Sequence, residues 1–313
     1  MIAVENVKFV NSFPNPNQGR FDKSQWLHDY GLSNVILNCH AKQIYYPDHW
    51  TPLSLKCSFN GKEFYQSGNA IQCASDDNFL IFNEGKEYTS FINSDTEVES
   101  FTLNFAEPFV KFTLNALFAD AAINLDDPCA ERIKTNIRFI ERGYTYNATL
   151  KNQVLLIRHL TKEFQLNNEH IAELLLSLLE NLIAFRQKIS TEVNDLNAAK
   201  ASTRAELYKR LYMVKDLLDS SYQTDINLNT LASVALLNPC YLLRLFKSFF
   251  KITPWQYLKR RRIDEAKKLL ATGKYPVAQV CNMVGFSDLS SFSKLFKKET
   301  GFSPCKFSAM PGL

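Results

Sequence analysis

The chain has 313 residues, 46% of them hydrophobic and 22% charged. That is globular composition with room for two cores, and it excludes a disordered chain. No apolar run reaches the roughly 18 residues of a membrane span. The strongest lies around Leu174 to Leu179. Met1-Ile2-Ala3-Val4-Glu5 lacks the basic start and apolar core of an export signal, so a cytoplasmic protein is expected. A net charge of +4 hides a split: residues 205–313 hold 17 Lys and Arg against 8 Asp and Glu, and residues 1–204 hold 19 against 24. A basic C-terminal third suits a nucleic-acid partner. Seven scattered cysteines, without a Cys-x-x-Cys pair, read as free thiols.

The first part of the chain predicts short antiparallel strands. Leu53 to Phe59 alternates apolar and polar residues, and Asn60-Gly61 predicts a type I′ hairpin turn into Lys62 to Tyr65. Further strands are expected at Asn34 to Cys39, Ala70 to Cys73, Phe79 to Phe82, Glu87 to Ile92 and Val98 to Phe105. Turns are expected at Ser67-Gly68-Asn69, Asn83-Glu84-Gly85 and Asn93-Ser94-Asp95. Strands at this spacing suggest a small barrel or jelly roll, which can hold one ligand or be filled by side chains. The aromatic residues Tyr45, Tyr46, Trp50, Phe64 and Tyr65 are the candidate effector contacts.

From about Glu107 the pattern turns helical. Thr149 to Leu166 and Asn168 to Ile189 predict two amphipathic helices. The second carries the stripe Ile171, Leu174, Leu175, Leu178, Leu182 and Phe185, open to two readings: packing on the chain's own core, or a two-fold interface. The small, polar stretch 190–204 is the candidate linker.

The basic third contains one pattern twice. Leu245-Phe246-Lys247 is followed by Thr253-Pro254 and Tyr257, and Leu295-Phe296-Lys297 by Ser303-Pro304 and Phe307. The copies align at an offset of 49 before an internal turn and 50 after it. In the second turn Phe286-Ser287-Asp288 therefore stands where the first, Leu237-Asn238-Pro239, has only Leu237-Asn238 before its helix, one residue fewer. Each copy reads as helix, turn, helix. In the helix after the first turn, Leu242, Leu245, Phe246 and Phe249 face a core, while Cys240, Arg244, Lys247 and Lys251 share the opposite face. Phe292, Leu295 and Phe296 repeat the inward set, with Ser290, Lys294 and Lys297 outward. A further helix is expected from about Ala205 to Ser220, and a long one from Trp255 to Leu270 joins the copies. Its Lys259-Arg260-Arg261-Arg262 run is not assigned to bases.

These residues resemble the DNA-binding domain of the AraC/XylS transcription regulators. The resemblance covers Leu231-Ala232, Leu242-x-Arg244-x-Phe246-Lys247, Thr253-Pro254-x-x-Tyr257-Leu258 and Arg262-Ile263-x-x-Ala266-x-x-Leu269-Leu270. It continues through Val280-Cys281-x-x-x-Gly285-Phe286-Ser287-Asp288 and Phe292-x-x-x-Phe296-Lys297-Lys298-x-x-Gly301-Phe302-Ser303-Pro304. Lys251 and Leu236 stand where that family commonly has Gly, and Cys281 where it has Ala. Gly61 to Tyr65 and Phe79 to Gly85 resemble the cupin-type sensors that often precede this module.

The resemblance implies an α+β chain: a cupin-like β-barrel sensor over 1–125, a helical dimerisation or linker region over 126–204, and over 205–313 an all-α domain with two helix–turn–helix units at about 228–250 and 276–300. It implies a sequence-specific regulator, with activator and repressor both open, whose expected partners are promoter DNA, a small effector and a second copy of the chain, with RNA polymerase a further candidate. No cofactor and no membrane are called for. The DNA-contacting set is Cys240, Tyr241, Arg244, Lys247, Lys251, Ser290, Ser293, Lys294 and Lys297. The competing reading is a cupin-like metal enzyme fused to a DNA-binding tail. His28, His40, His49, His159 and His170 never form the His-x-His such a centre uses. A methyl-acceptor thiol of the DNA-repair type would need His after Pro-Cys, and Pro128-Cys129, Pro239-Cys240 and Pro304-Cys305 all lack it.

Overall fold

The computed structural model describes residues 6–13, 24, 32–68, 70–118, 137–162, 168–194, 196, 198 and 200–309. The chain divides into two compact units, Met1–Asp195 and Leu196–Leu313. Cys129 and the end of the helix expected at Thr149 to Leu166 lie outside the described residues.

The first unit is built on an eight-stranded sheet in the order β1-β2-β7-β3-β6-β8, with β4 joined to β5 and β7 off that path. Its strands are β1 Val7–Val10, β2 Asn34–Thr51, β3 Leu53–Phe59, β4 Glu63–Ser67, β5 Ala70–Ala74, β6 Asn78–Phe82, β7 Lys86–Phe105 and β8 Gly143–Thr145. Two expectations are corrected here. The turn at Asn93-Ser94-Asp95 does not form; β7, 20 residues long, runs through it against the 18-residue β2, and the mismatch is absorbed by register shifts between Ala41 and Gln43 and between Tyr46 and His49. Nor do β3 and β4 form a hairpin. Both pair with successive stretches of β7, β3 from Phe105 to Glu99 and β4 at Phe91 to Thr89. A strand that can pair with a long neighbour gains more ladder bonds than a two-residue turn allows. Parallel pairing of β1 with β2 had no local signal.

Helices α1 Glu107–Phe118, α2 Ala148–Lys162 and α3 Asn168–Asn194 complete the first unit. On α3, Ile171, Leu175, Leu178 and Leu182 are buried within the unit. The stripe therefore packs on its own core, and the two-fold interface expected there is corrected. Gln153 of α2 bonds Ser177 and Asn181 of α3, and Phe185 meets Phe79 and Tyr144. Ile189 and Val193 continue the buried stripe, so α3 extends into the stretch expected as a linker. Glu99 of β7 ties the sheet to α2: it accepts from Arg158 at 2.7 and 2.5 Å and from Lys162 at 3.0 Å.

The second unit is all-helical: α4 Ala201–Ser220, α5 Leu228–Ala235, α6 Pro239–Phe250, α7 Pro254–Ala271, α8 Val277–Met283, α9 Leu289–Thr300 and α10 Pro304–Ser308. Helix α4 begins four residues earlier than expected. Asn227 caps α5 by accepting from Thr230 N, and Thr253 with Gln256 forms a capping box on α7. Leu242 and Phe246 are buried, as are Leu207, Leu211, Leu231 and Leu258. The other half has its own core of Ile263, Ala266, Leu270, Val280, Val284, Phe292 and Phe296. Helix α7 supplies residues to both.

The two turns end α5 and α8 with the same device. Leu237 N bonds Ala232 O and Phe286 N bonds Cys281 O, each at 3.0 Å, as a left-handed C-cap requires. The left-handed residue is Leu236 in one (φ 52) and Gly285 in the other (φ 88). Leu236 is 75% exposed, so its side chain stands mostly in solvent. A Cβ on Gly285 would lie 2.7 Å from Gln223 O, a backbone atom that cannot swing away. Gly285→Ala should therefore lower stability by about 2–4 kcal/mol. Leu236→Gly should raise it by about 0.5–1 kcal/mol, the relief of left-handed strain less the added unfolded-state entropy. Denaturant melts check both signs.

Acid should act through Glu99. Burial alone would raise its pKa, but the hydrogen bonds from Arg158 and Lys162 hold it down at about 2, against 4.5 unperturbed. A depressed folded pKa contributes stability that is present above about pH 4.5 and lost as pH falls toward 2. Glu99→Gln should cost about 2 kcal/mol at neutral pH, and its difference from the parent should shrink over that window. Urea melts at stepped pH would show it.

Candidate nucleic-acid interface

Helices α6 and α9 are positioned by their own caps. Asn238 accepts from Cys240 N at 2.9 Å, with Pro239 in the first turn where its missing N–H costs nothing. Asp288 accepts from Ser291 N at 2.7 Å and Ser290 N at 3.3 Å. These bonds draw the Asp288 carboxyl below its ordinary pKa. Each helix closes on a left-handed residue, Lys251 at φ 62 and Gly301 at φ 81. Lys251 takes there the strained conformation that glycine takes in the other copy.

Burial along the two helices matches position for position at the offset of 50, from Cys240 to Ser248 and from Ser290 to Lys298. Leu242 and Phe246 correspond to Phe292 and Phe296 at the buried positions. Leu245 and Leu295 are half-buried, as is Phe249, all less deep than expected. Cys240, Tyr241, Arg244, Lys247, Lys251, Ser290, Lys294 and Lys297 are exposed, and Ser293 is half-buried.

The cations divide by role. Arg210 bonds Glu206 and the Leu236 carbonyl. Lys215 bonds Asp219 at 2.7 Å, and Tyr257 donates to the same carboxylate. Arg261 pairs with Glu265 at 2.6 Å. Arg262 donates to the carbonyls of Tyr222 and Thr224 at 2.7 and 2.9 Å, and its guanidinium lies 5.5 Å over Phe286. Within the basic run of α7, Lys259 and Arg260 are exposed, whereas Arg261 and Arg262 serve the fold. Lys251 turns its ammonium onto Ser248 O at 2.8 Å. By contrast, no ion pair or hydrogen bond among the described residues engages the side chains of Arg244, Lys247, Lys294 or Lys297. Tyr241 and Leu289, in the first turns of α6 and α9, are exposed apolar residues on the same two helices. Sequence periodicity had not singled out Leu289.

In the first unit the candidate effector rings separate onto two faces. Tyr46 and Tyr65 both lie opposite Ser90, whereas Tyr45 and Phe64 lie opposite Phe91. Tyr65 is buried, Tyr46 and Trp50 half-buried, and Tyr45 is 62% exposed. Phe64 stacks on Phe91 at 5.3 Å. Among the described residues no three His, Cys, Asp or Glu side chains converge to hold a metal, and no helix is long and apolar enough to cross a membrane.

A cationic face on capped helices that follow tight turns defines a DNA-binding protein of the helix–turn–helix class. A family model described as a helix-turn-helix domain matches residues 231–310. Over 208 residues the chain is 29% identical to the probable transcriptional regulator LumQ of Photobacterium leiognathi, covering 60% of this chain and 82% of LumQ. That stretch is longer than the second unit. It is 33% identical to the probable transcription factor PqrA of Proteus vulgaris, covering 26% of this chain and 67% of PqrA. With the arabinose operon regulatory protein of Escherichia coli strain K12 it shares 37% identity, over 31% of this chain and 32% of that one. The chain belongs to the AraC/XylS family of DNA-binding transcriptional regulators.

Lys251→Gly should stabilise the second unit by up to about 1 kcal/mol, since left-handed strain exceeds what one exposed Lys251–Ser248 bond returns. Its melting temperature against that of Lys251→Ala, which keeps the strain and loses the bond, separates the two terms.

Proposed function

We propose that α5–α6 and α8–α9 are two helix–turn–helix units that read promoter DNA together, and that the first unit is a cupin-like sensor for a small effector. The observation that carries the DNA reading is the matched pattern of α6 and α9, with unengaged cations on both outward faces. Helices α6 and α9 enter successive major grooves about 34 Å apart. Arg244 makes a bidentate contact to a guanine, a planar geometry that Lys294 at the matching place cannot reproduce. Cys240, Tyr241, Ser290 and Ser293 stand near base edges. Lys247, Lys251 and Lys297 lie further along and meet phosphates. The regulator works in the cytoplasm as an activator touching RNA polymerase. A homodimer of it forms through a surface other than the buried stripe of α3.

The sensor reading is supported by the burial of β3 on both faces, which leaves the polar side chains of Ser54, Lys56 and Ser58 on a covered face. Its test is a shift in promoter affinity when an effector binds.

Arg244→Ala should cost roughly 1–3 kcal/mol on specific DNA and relax preference at one base pair. Lys297→Ala should weaken binding to specific and scrambled DNA alike and reduce the salt dependence by about one unit of slope. Fluorescence anisotropy on both duplexes across a salt series measures this. Equal losses on the two duplexes for Arg244→Ala would reduce that residue to a positioning role.

A further inference from the structure

Strand β3 is buried along its whole length, so both of its faces are covered. One face, Leu53, Leu55, Cys57 and Phe59, is apolar. The other carries Ser54, Lys56 and Ser58, lying opposite Asn104, Thr102 and Ser100 of β7, and none of these six is more than 8% exposed. Glu63, at the start of β4, is 3% exposed.

Lys56 and Glu63 feel each other's charge, yet no ion pair within 4.0 Å joins them. The Lys56 ammonium lies 5.0 Å over the Tyr88 ring. Tyr65 packs against Phe82 and Tyr88, each at 5.6 Å, and His49 lies 4.0 Å from Tyr88. The hydroxyls of Ser100 and Tyr65 stand by the Glu63 carboxyl and favour its ionised form. Even so, Glu63 Oε2 and the Tyr65 hydroxyl make no hydrogen bond of ordinary geometry among the described residues. Burial draws Lys56 down to about 8, with Glu63 opposing, and it pushes the Glu63 carboxyl up.

A scaffold has no use for this arrangement. Leucine or valine at the same positions would pack as well without removing charges from water. A buried cation and carboxylate held apart beside packed aromatic rings complement a molecule that brings the opposite two charges. A neutral polyol could hydrogen-bond to both groups but would leave each charge uncompensated.

We propose that this interior is the effector site and that it takes a small zwitterion of the α-amino-acid type. The ligand's carboxylate meets Lys56, its ammonium meets Glu63, and its side chain lies against Tyr65, Phe82 and Tyr88. The assignment rests on the sensor reading above and adds the class of ligand.

The experiment is calorimetric titration of the full chain with the standard L-α-amino acids. Each is paired with its N-acetyl and its carboxamide derivative, and neutral pentoses and hexoses form a separate arm. At least one amino acid should bind, and each of its two derivatives should bind about tenfold or more weakly, the loss of one charge-assisted contact. Lys56→Met should remove the penalty for the carboxamide, and Glu63→Gln the penalty for N-acetylation. Absence of binding by every amino acid overturns the proposal, as do derivatives that bind as tightly as their parents. Because the derivative series runs on the unmodified chain, it decides the matter even if either variant fails to fold. Binding by the neutral sugars alone overturns the zwitterion and leaves the sensor reading intact. Promoter affinity that no bound small molecule alters would remove the sensor reading itself.

Discussion

The second unit depends on how the short segment Tyr222 to Thr224 is held. Arg262, in the middle of α7, donates to the carbonyls of Tyr222 and Thr224 and lies over Phe286. Gly285 brings the second turn onto the carbonyl of Gln223 at a distance only glycine allows. A loop leaving α4 in the first half is thereby clamped against the turn of the second. Rigid helices transmit that clamp outward, so the separation of α6 and α9 is set by contacts far from either outward face. The two-groove reading proposed above depends on that constancy, because a small error at the joint grows along the helices.

The clamp also explains why the two copies have drifted unequally. Both turns need a left-handed residue to close the helix before them. In the first copy that residue points into solvent, so Leu236 bears only backbone strain. In the second copy the same position faces the other half of the domain, and a side chain there would push the halves apart. Charge is distributed by the same logic. Asp219 gathers Lys215, Tyr257 and Arg261 between α4 and α7, so much of the local positive charge serves cohesion. The cations left unengaged on α6 and α9 sit on the faces that present nothing else to do.

In the first unit the governing constraint is the pairing of two long strands. Strands β2 and β7 run together through two register shifts, and β3 and β4 dock on successive parts of β7. Docking of β3 and β4 on β7 leaves Lys56 of one strand within electrostatic reach of Glu63 of the next. Neither residue has local company in the sequence that would mark it. The apolar face of the same sheet is closed by α2 and α3, with Arg158 both over the Phe59 ring and bonded to Glu99.

The sequence by itself determined the repeat, its unequal turns, the inward and outward sides of α6 and α9, and the replacement of glycine by Leu236 and Lys251. All of these depend on spacing within one helix or on a backbone conformation tied to one residue, and such information is local. Only the tertiary structure decided the rest. An apolar stripe such as Ile171 to Leu182 reads identically whether it meets its own sheet or another chain. A polar run such as Asn93 to Asp95 turns only when no neighbour offers it a ladder. The nearness of Lys56 to Glu63, the loss of Tyr45 and Phe64 to the outer face, and the use of Arg262 as a clamp all come from residues brought together across strands and helices. Sequence spacing carries no record of such distances.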